Sequence, residues 1–138
     1  MNRVIVAALA IVLVAQAGYA VSDPKAPAGQ WRGIIKESGK DTLVGLDLKV
    51  TAETVEGRLA VLSETGQDLE KGMTFPIVQG KRSGDDLQFF VAIAGGKVDS
   101  DALFFELKYR DETLAGTAHE NRPGSALIPV CFTRPDRL

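Results

Sequence analysis

The sequence contains very few of the side chains on which enzymes and metal sites most often depend. Among its 138 residues there is one cysteine, Cys131, and one histidine, His119. A single cysteine excludes a disulfide within the chain and a zinc site of several cysteines, and a single histidine excludes a cluster of histidine ligands. Acidic and basic residues nearly balance, 18 against 16, so the net charge of −2 offers no general attraction for polyphosphate. We therefore expect no cofactor, no metal site and no nucleic-acid partner.

Long hydrophobic runs are also absent, with one exception at the N-terminus. Arg3 is followed by twelve consecutive apolar residues, Val4 to Ala15, and small residues suit cleavage after Ala17 or Ala20. This layout is typical of a cleavable signal peptide, whereas a spanning helix needs about 20 apolar residues. The pattern predicts a signal peptide over residues 1–20, no membrane span after its removal, and export to the periplasm or the extracellular medium.

The rest of the chain divides into a short leader and one domain. Residues 21–29 carry two prolines and several small residues, a composition typical of a flexible leader. The length of the remaining segment, residues 30–138, fits a single domain.

From Trp31 onward, apolar and polar residues alternate, and turn residues recur at regular intervals. Alternation with period 2 predicts strands with one apolar face, and regularly spaced turns predict antiparallel neighbours. With a four-residue turn at 38–41, Trp31 would lie opposite Leu48, and in the next hairpin Leu46 would lie opposite Leu59. The apolar face stays continuous through both turns, as a sheet with one buried side requires.

The hairpin whose loop is centred on Lys97 has the best-determined register. It places Phe89 opposite Phe105 on the apolar face and Phe90 opposite Phe104 on the other face. Aromatic cross-strand pairs contribute roughly 0.2–1 kcal/mol each. The two pairs together therefore oppose any slip of this register.

Two more hairpins continue the same apolar face toward the C-terminus. A tight turn at 111–112 puts Tyr109 opposite Leu114, and the final strand then places Cys131 opposite Ala115. Eight strands result from the complete pattern.

The strand that contains Pro76 is expected to be irregular. It follows a ten-residue connection, 63–72, and a turn at 81–85 would place Ile77 opposite Phe89. Proline cannot donate a hydrogen bond to a neighbouring strand, so we expect a bulge or a gap in the sheet here.

Eight consecutive antiparallel strands with short turns predict an all-β protein. A sheet of this length avoids exposed edges by closing on itself, which favours an eight-stranded antiparallel up-and-down β-barrel, with a two-sheet β-sandwich as the alternative. The interior of such a barrel holds packed side chains or one small ligand. Gly33, Gly57, Gly116 and Ala118 are expected to leave space inside it, which is either packed by other side chains or open. The large aromatic residues on the inward face are Trp31, Phe75, Phe89, Phe105, Tyr109 and Phe132.

Gly29-Gln30-Trp31 opens the first predicted strand, and Arg134 closely follows the last one. These residues resemble the signature of the calycin superfamily, the lipocalins and their smaller relatives, in which a Gly-x-Trp begins the barrel and a late arginine packs across the tryptophan. The resemblance implies a lipocalin-like barrel in which Trp31 and Arg134 form a barrel-closing cation–π pair. Small periplasmic protease inhibitors are similar in outline.

The residues that could carry chemistry do not assemble into a catalytic site. His119 and Cys131 are predicted on neighbouring strands but four residues out of register, about 13 Å along the strand, which is too far for a thiol–imidazole dyad. Asp99-Ser100-Asp101 lacks the remaining ligands of a calcium loop. We therefore expect a non-catalytic protein in which Cys131 acts as a small hydrophobic residue.

Two functional hypotheses follow, and they use different faces of the barrel. In the first, a small apolar ligand binds inside, against Trp31, Phe75, Phe89, Phe105 and Tyr109. In the second, the protein is an interaction module or an inhibitor of a secreted hydrolase, and it contacts a protein partner through Phe90 and Phe104 on its outer surface or through the connection 63–72.

Overall fold

The computed structural model describes residues 27–37, 39–63 and 73–135. The predicted signal peptide, most of the predicted leader and most of the connection 63–72 lie outside the described residues. Within the described ranges the chain forms eight β-strands and no α-helix. The strands are β1 (Gly29–Glu37), β2 (Lys40–Val50), β3 (Thr54–Ser63), β4 (Met73–Ser83), β5 (Asp86–Val91), β6 (Leu103–Arg110), β7 (Thr113–Glu120) and β8 (Ile128–Thr133).

The eight strands form one closed antiparallel barrel in which each strand pairs with its neighbours in the sequence. The barrel closes where β1 meets β8, through the residue pairs Arg32 with Thr133 and Gly33 with Phe132. This confirms the predicted all-β up-and-down β-barrel and excludes the two-sheet sandwich.

The predicted register is confirmed in four hairpins. Leu46 lies opposite Leu59 between β2 and β3, and Phe89 lies opposite Phe105 between β5 and β6. The pairings of β6 with β7 and of β7 with β8 also agree with the sequence, including Cys131 opposite Ala115. In each case the alternation of apolar side chains on the two neighbouring strands points to the same register.

The predicted register of the first hairpin was wrong by two residues. Trp31 lies opposite Leu46 and not opposite Leu48, because only residues 38 and 39 separate β1 from β2. A shift of two residues keeps every side chain on its original face, so the alternation could not reveal it.

The pairing of β4 with β5 also differs from the prediction. Ile77 lies opposite Val91 and not opposite Phe89, because the turn after Ser83 has two residues and the register shifts between Val78 and Lys81. The expected bulge is therefore present in this strand, although it lies beyond Pro76. Gln79 within the bulge has a φ of 53°, a left-handed conformation that residues other than glycine seldom adopt.

The barrel interior is filled by large apolar side chains. Phe89 and Phe105 have no exposed surface and stack with their ring centroids 5.2 Å apart. Phe132 packs against Phe105 at 6.3 Å. Burying a side chain of this size stabilises a protein by about 1.5–3 kcal/mol, so this packed centre is a main source of stability. Of the six inward aromatic residues, Trp31, Phe89, Phe105 and Phe132 are fully buried, and Phe75 and Tyr109 are partly buried.

The inward glycines Gly33, Gly57 and Gly116 leave no room for a side chain of their own. A Cβ on Gly116 would lie 1.9 Å from the backbone oxygen of Glu106, and a Cβ on Gly57 would lie 1.9 Å from that of Asp47. At Gly33 the nearest backbone atom is 2.6 Å away. These glycines permit the backbone of the adjacent strand to approach closely, and that backbone occupies the position of the missing Cβ.

Candidate functional site

One end of the barrel is sealed by Trp31 and Arg134. This closed end carries the start of β1 and the turns after β2, β4 and β6. The guanidinium carbon of Arg134 lies 3.8 Å from the ring centroid of Trp31. Arg134 Nη1 donates hydrogen bonds to the backbone oxygens of Ala28 at 2.8 Å and Gln30 at 3.3 Å. Arg134, just after β8, therefore connects the last strand to the beginning of the barrel across the face of Trp31.

The segment before β1 belongs to this closed end. Trp31 Nε1 donates a hydrogen bond of 2.8 Å to the backbone oxygen of Pro27, which is itself buried. Gly29 already lies in β1. The last three residues that the sequence assigned to the leader are thus part of the folded domain.

Tyr109 and Glu112 form a second layer at the closed end. The ring of Tyr109 meets Trp31 edge to face, with centroids 6.1 Å apart. The Tyr109 hydroxyl donates a hydrogen bond of 2.5 Å to Glu112 Oε2, and Glu112 Oε1 lies 3.9 Å from Arg134 Nε. The hydrogen bond to Glu112, together with burial and the negative charge of that carboxylate, raises the pKa of the Tyr109 phenol above its ordinary value of 10.0.

This raised pKa predicts a loss of stability at high pH that depends on Tyr109. The folded protein holds the phenol proton more tightly than the unfolded chain does, so the stabilisation is complete below the unfolded pKa of about 10 and is lost as the pH rises through the folded pKa. We expect Tyr109→Phe to remove this part of the pH dependence. Urea midpoints of both proteins between about pH 9 and about pH 12 measure it, and parallel curves would contradict the assignment.

Arg82 also belongs to the closed end, although the sequence placed it in the turn at 81–85. It is 8% exposed and lies in β4 opposite Leu87. Its Nε donates to the backbone oxygen of Gly84 at 2.7 Å, and its Nη1 donates to that of Thr51 at 3.2 Å. The bulge at 79–80 changes which face the following residues occupy, and the alternation of the sequence carries no signal of that change.

The opposite end of the barrel is lined by apolar side chains that are only partly buried. They lie on the inner face at the ends of their strands, or just beyond them, and pack against the core. We call this set the apolar mouth. Its members are Ile35, Val61, Phe75, Ile93, Leu103 and Ile128.

Two loops beside the apolar mouth, residues 92–102 and 121–127, are joined by hydrogen bonds. The backbone N–H of Asn121 donates to the backbone oxygen of Ala102 at 2.9 Å. Arg122 donates to the backbone oxygen of Ser100 at 3.0 Å and to Asp101 Oδ1 at 2.5 Å. The acidic residues around Ser100 therefore take part in loop contacts. Within the described ranges, no group of three or more metal-ligating side chains is placed to hold a metal ion.

The five residues predicted to bind an apolar ligand do not line a single site. Phe75 lies in the apolar mouth, whereas Phe89 and Phe105 are fully buried in the middle of the barrel. Trp31 and Tyr109 lie at the closed end. The sequence missed the other members of the apolar mouth as a group. They could have been found as inward residues near the ends of β1, β3 and β5 and near the starts of β4, β6 and β8, which meet at the same edge of the barrel.

Phe90 and Phe104 lie side by side on the outer face, as their register requires. Their ring centroids are 4.8 Å apart, and the ring of His119 lies 5.5 Å from that of Phe104. All three side chains are partly buried. His119 Nδ1 donates a hydrogen bond of 2.7 Å to the backbone oxygen of Glu120. The three rings form a continuous aromatic row across β5, β6 and β7.

The fold and these sites define a class of protein: a small closed eight-stranded antiparallel β-barrel, sealed at one end and lined by apolar side chains at the other. A comparison with known proteins finds no protein-family model that matches the chain and no curated protein that is significantly similar to it. Among the described residues there is no helix with the length and apolar character needed to cross a membrane.

Proposed function

We propose that this protein is an exported, non-catalytic β-barrel that binds a small apolar ligand at the apolar mouth. One observation carries the proposal. Six inward-facing apolar side chains remain partly exposed at one end of a barrel whose other end is sealed. Ligand sites in proteins are concave and mostly apolar, and they are common at the mouths of β-barrels. The N-terminal pattern of residues 1–20 supports export.

The packing inside the barrel favours a ligand at the mouth over one in the centre. Phe89, Phe105 and Leu87 have no surface left for a ligand, whereas Phe75 and Leu103 still have some. Removing apolar surface from water contributes about 25 cal/mol per Å². A ligand with an apolar end gains most where such surface remains exposed, which is at the mouth.

The resemblance to the calycin superfamily supports the same proposal. The stack of Arg134 on Trp31 corresponds to the arrangement that the resemblance implies. We propose on this basis that the chain is a lipocalin-like barrel.

A mutation at Phe75 tests the proposed site. We expect Phe75→Ser to weaken binding of the apolar fluorophore N-phenyl-1-naphthylamine about tenfold, because the ring would contribute apolar surface to the site. Phe90→Ser makes the same chemical change on the outer face and should leave the affinity unchanged. Fluorescence titration measures both. Equal affinities of the two variants, or no binding to the unmodified protein, would refute the proposal.

Native mass spectrometry of the mature protein from an exporting host adds an independent check. An apolar small molecule that stays bound in the gas phase and is released on denaturation would identify the ligand class. A protein that carries nothing, and that binds no apolar fluorophore, would contradict ligand binding.

The aromatic row supports a second candidate function, that of a protein-interaction module or an inhibitor of a secreted hydrolase. Phe90 and Phe104 are partly exposed, and adjacent aromatic rings are common anchors of protein interfaces. Under this function, the double substitution Phe90→Ser and Phe104→Ser should abolish self-association or partner binding, as measured by sedimentation and pull-down. Phe75→Ser serves as the matched control. Unchanged association of the double variant would count against this function.

A further inference from the structure

A groove of about 460 Å³ runs along the outer face where β1 meets β8. Its apolar part is formed by Ile34 from β1 and by Pro129 and Cys131 from β8. Ile34 is 48% exposed, which is high for a large hydrophobic residue. The groove lies outside the barrel and shares no lining residue with the apolar mouth or with the aromatic row.

Two cations, Arg32 and Lys36, also line the groove, and neither makes an ion pair with a described side chain. Asp41 lies opposite Lys36 on β2 without forming such a pair and without lining the groove. None of the described lining residues is acidic. The groove is therefore a positive site on a protein whose net charge is −2, and it favours an anionic partner.

The spacing of these residues indicates the shape of that partner. Arg32, Ile34 and Lys36 alternate with inward-facing residues, so all three lie on the outer face of β1. With a strand rise of about 3.3 Å per residue, the Cα atoms of Arg32 and Lys36 are about 13 Å apart, and that of Ile34 lies midway. Residues i, i+2 and i+4 of an extended chain share one face with this spacing. An extended chain reaches this spacing within four residues, whereas a helix needs about eight or nine. A monocarboxylate could meet only one of the cations.

We propose that this groove binds an extended acidic segment of a partner protein. Acidic side chains four residues apart would pair with Arg32 and Lys36, and an apolar side chain midway between them would pack against Ile34 and Pro129. This interaction goes beyond the proposed ligand binding because it uses a different surface. It can therefore succeed or fail independently of the apolar mouth.

Cys131 provides a direct assay of the proposed site. It is exposed, lines the groove and is the only cysteine of the chain, so its alkylation by N-ethylmaleimide reports on this surface alone. The probe is the acetylated and amidated peptide Gly-Glu-Ser-Val-Ser-Glu-Gly. The reference is a peptide of the same composition with adjacent acids, Gly-Ser-Glu-Glu-Ser-Val-Gly. Intact-mass spectrometry measures the alkylation rate with each peptide.

At low salt, we expect the spaced peptide to slow the alkylation of Cys131. The peptide concentration that halves the alkylation rate should be about tenfold lower for the spaced peptide than for the reference peptide. Protection should disappear at 1 M salt, where the Debye length is about 3 Å. The double variant Arg32→Glu and Lys36→Glu should lose protection. Lys81→Glu, which reverses the charge of an exposed lysine outside the groove, should keep it. Circular dichroism verifies that the variants fold.

Three results would overturn the proposal. The first is equal protection by the two peptides, and the second is protection that survives the double charge reversal. The third is protection by decanoate but not by the spaced peptide, which would identify a site for small amphiphilic anions. The apolar fluorophore titration of the mouth is unaffected by any of these results, so the two proposals are tested separately.

Discussion

Replacing Gly116 with alanine is expected to lower the free energy of unfolding by about 3 kcal/mol, the upper part of the range for overpacked interiors. The new methyl group would lie 1.9 Å from the backbone oxygen of Glu106 and 3.0 Å from the Cα of Leu107. Both are backbone atoms of a neighbouring strand, so they cannot move aside as the end of a side chain can. Urea unfolding followed by the fluorescence of Trp31, the only tryptophan, measures the change.

Gly84→Ala is the matched control for this prediction. Gly84 lies in a turn with a φ of 61°, and a Cβ there would meet no atom within 4 Å. Its substitution carries only the conformational cost of a left-handed residue, about 1 kcal/mol. Gly116 is not among the glycines with positive φ, so its cost comes from contact alone. Equal costs for the two variants would show that close strand approach is not what requires glycine at position 116.

Replacing Arg134 with alanine is expected to destabilise the barrel by about 3 kcal/mol. The variant loses the cation–π contact with Trp31, worth about 0.5–2 kcal/mol. It also loses charge-assisted hydrogen bonds to the backbone oxygens of Ala28 and Gln30, worth roughly 1.5 kcal/mol or more each before solvent replaces them. Because the side chain is only 21% exposed, solvent screens these interactions less than at an open surface.

Arg134→Lys separates the charge of this residue from its shape. Lysine keeps the positive charge near Glu112 but has no planar group to lie on the ring of Trp31 while it donates to two carbonyl oxygens. We expect it to recover less than half of the stability lost in Arg134→Ala, again measured by urea unfolding. Full recovery by lysine would mean that net charge alone, and not the stacked geometry, stabilises the closed end.

The two ends of the barrel therefore have different properties. At the closed end, Arg82 and Arg134 donate to backbone oxygens of turns and of the entering chain. At the opposite end, the apolar mouth retains partly exposed apolar surface. Mutations at the closed end should change stability with little effect on fluorophore affinity, and surface changes at the mouth should do the reverse.

The sequence by itself determined the class of fold and most of the strand pairing. The alternation of apolar and polar residues identifies the inward face of each strand, and the pairs of Phe89 with Phe105 and Phe90 with Phe104 hold one hairpin in register. Eight such consecutive antiparallel strands leave closure as the arrangement that removes both edges.

Only the tertiary structure decided the features that depend on a shift or a bend of the backbone. The two-residue connection after β1 places Trp31 opposite Leu46, and the alternation could not reveal this because a slip of two residues preserves the faces. Arg82 is buried because the bulge in β4 reverses the faces of the residues that follow it. The space beside Gly116 is filled by a neighbouring backbone, which no periodicity records. The apolar mouth is likewise a product of closure. Its members are spread from Ile35 to Ile128 in the sequence, and they share a site only because the strand ends meet at one edge of the barrel.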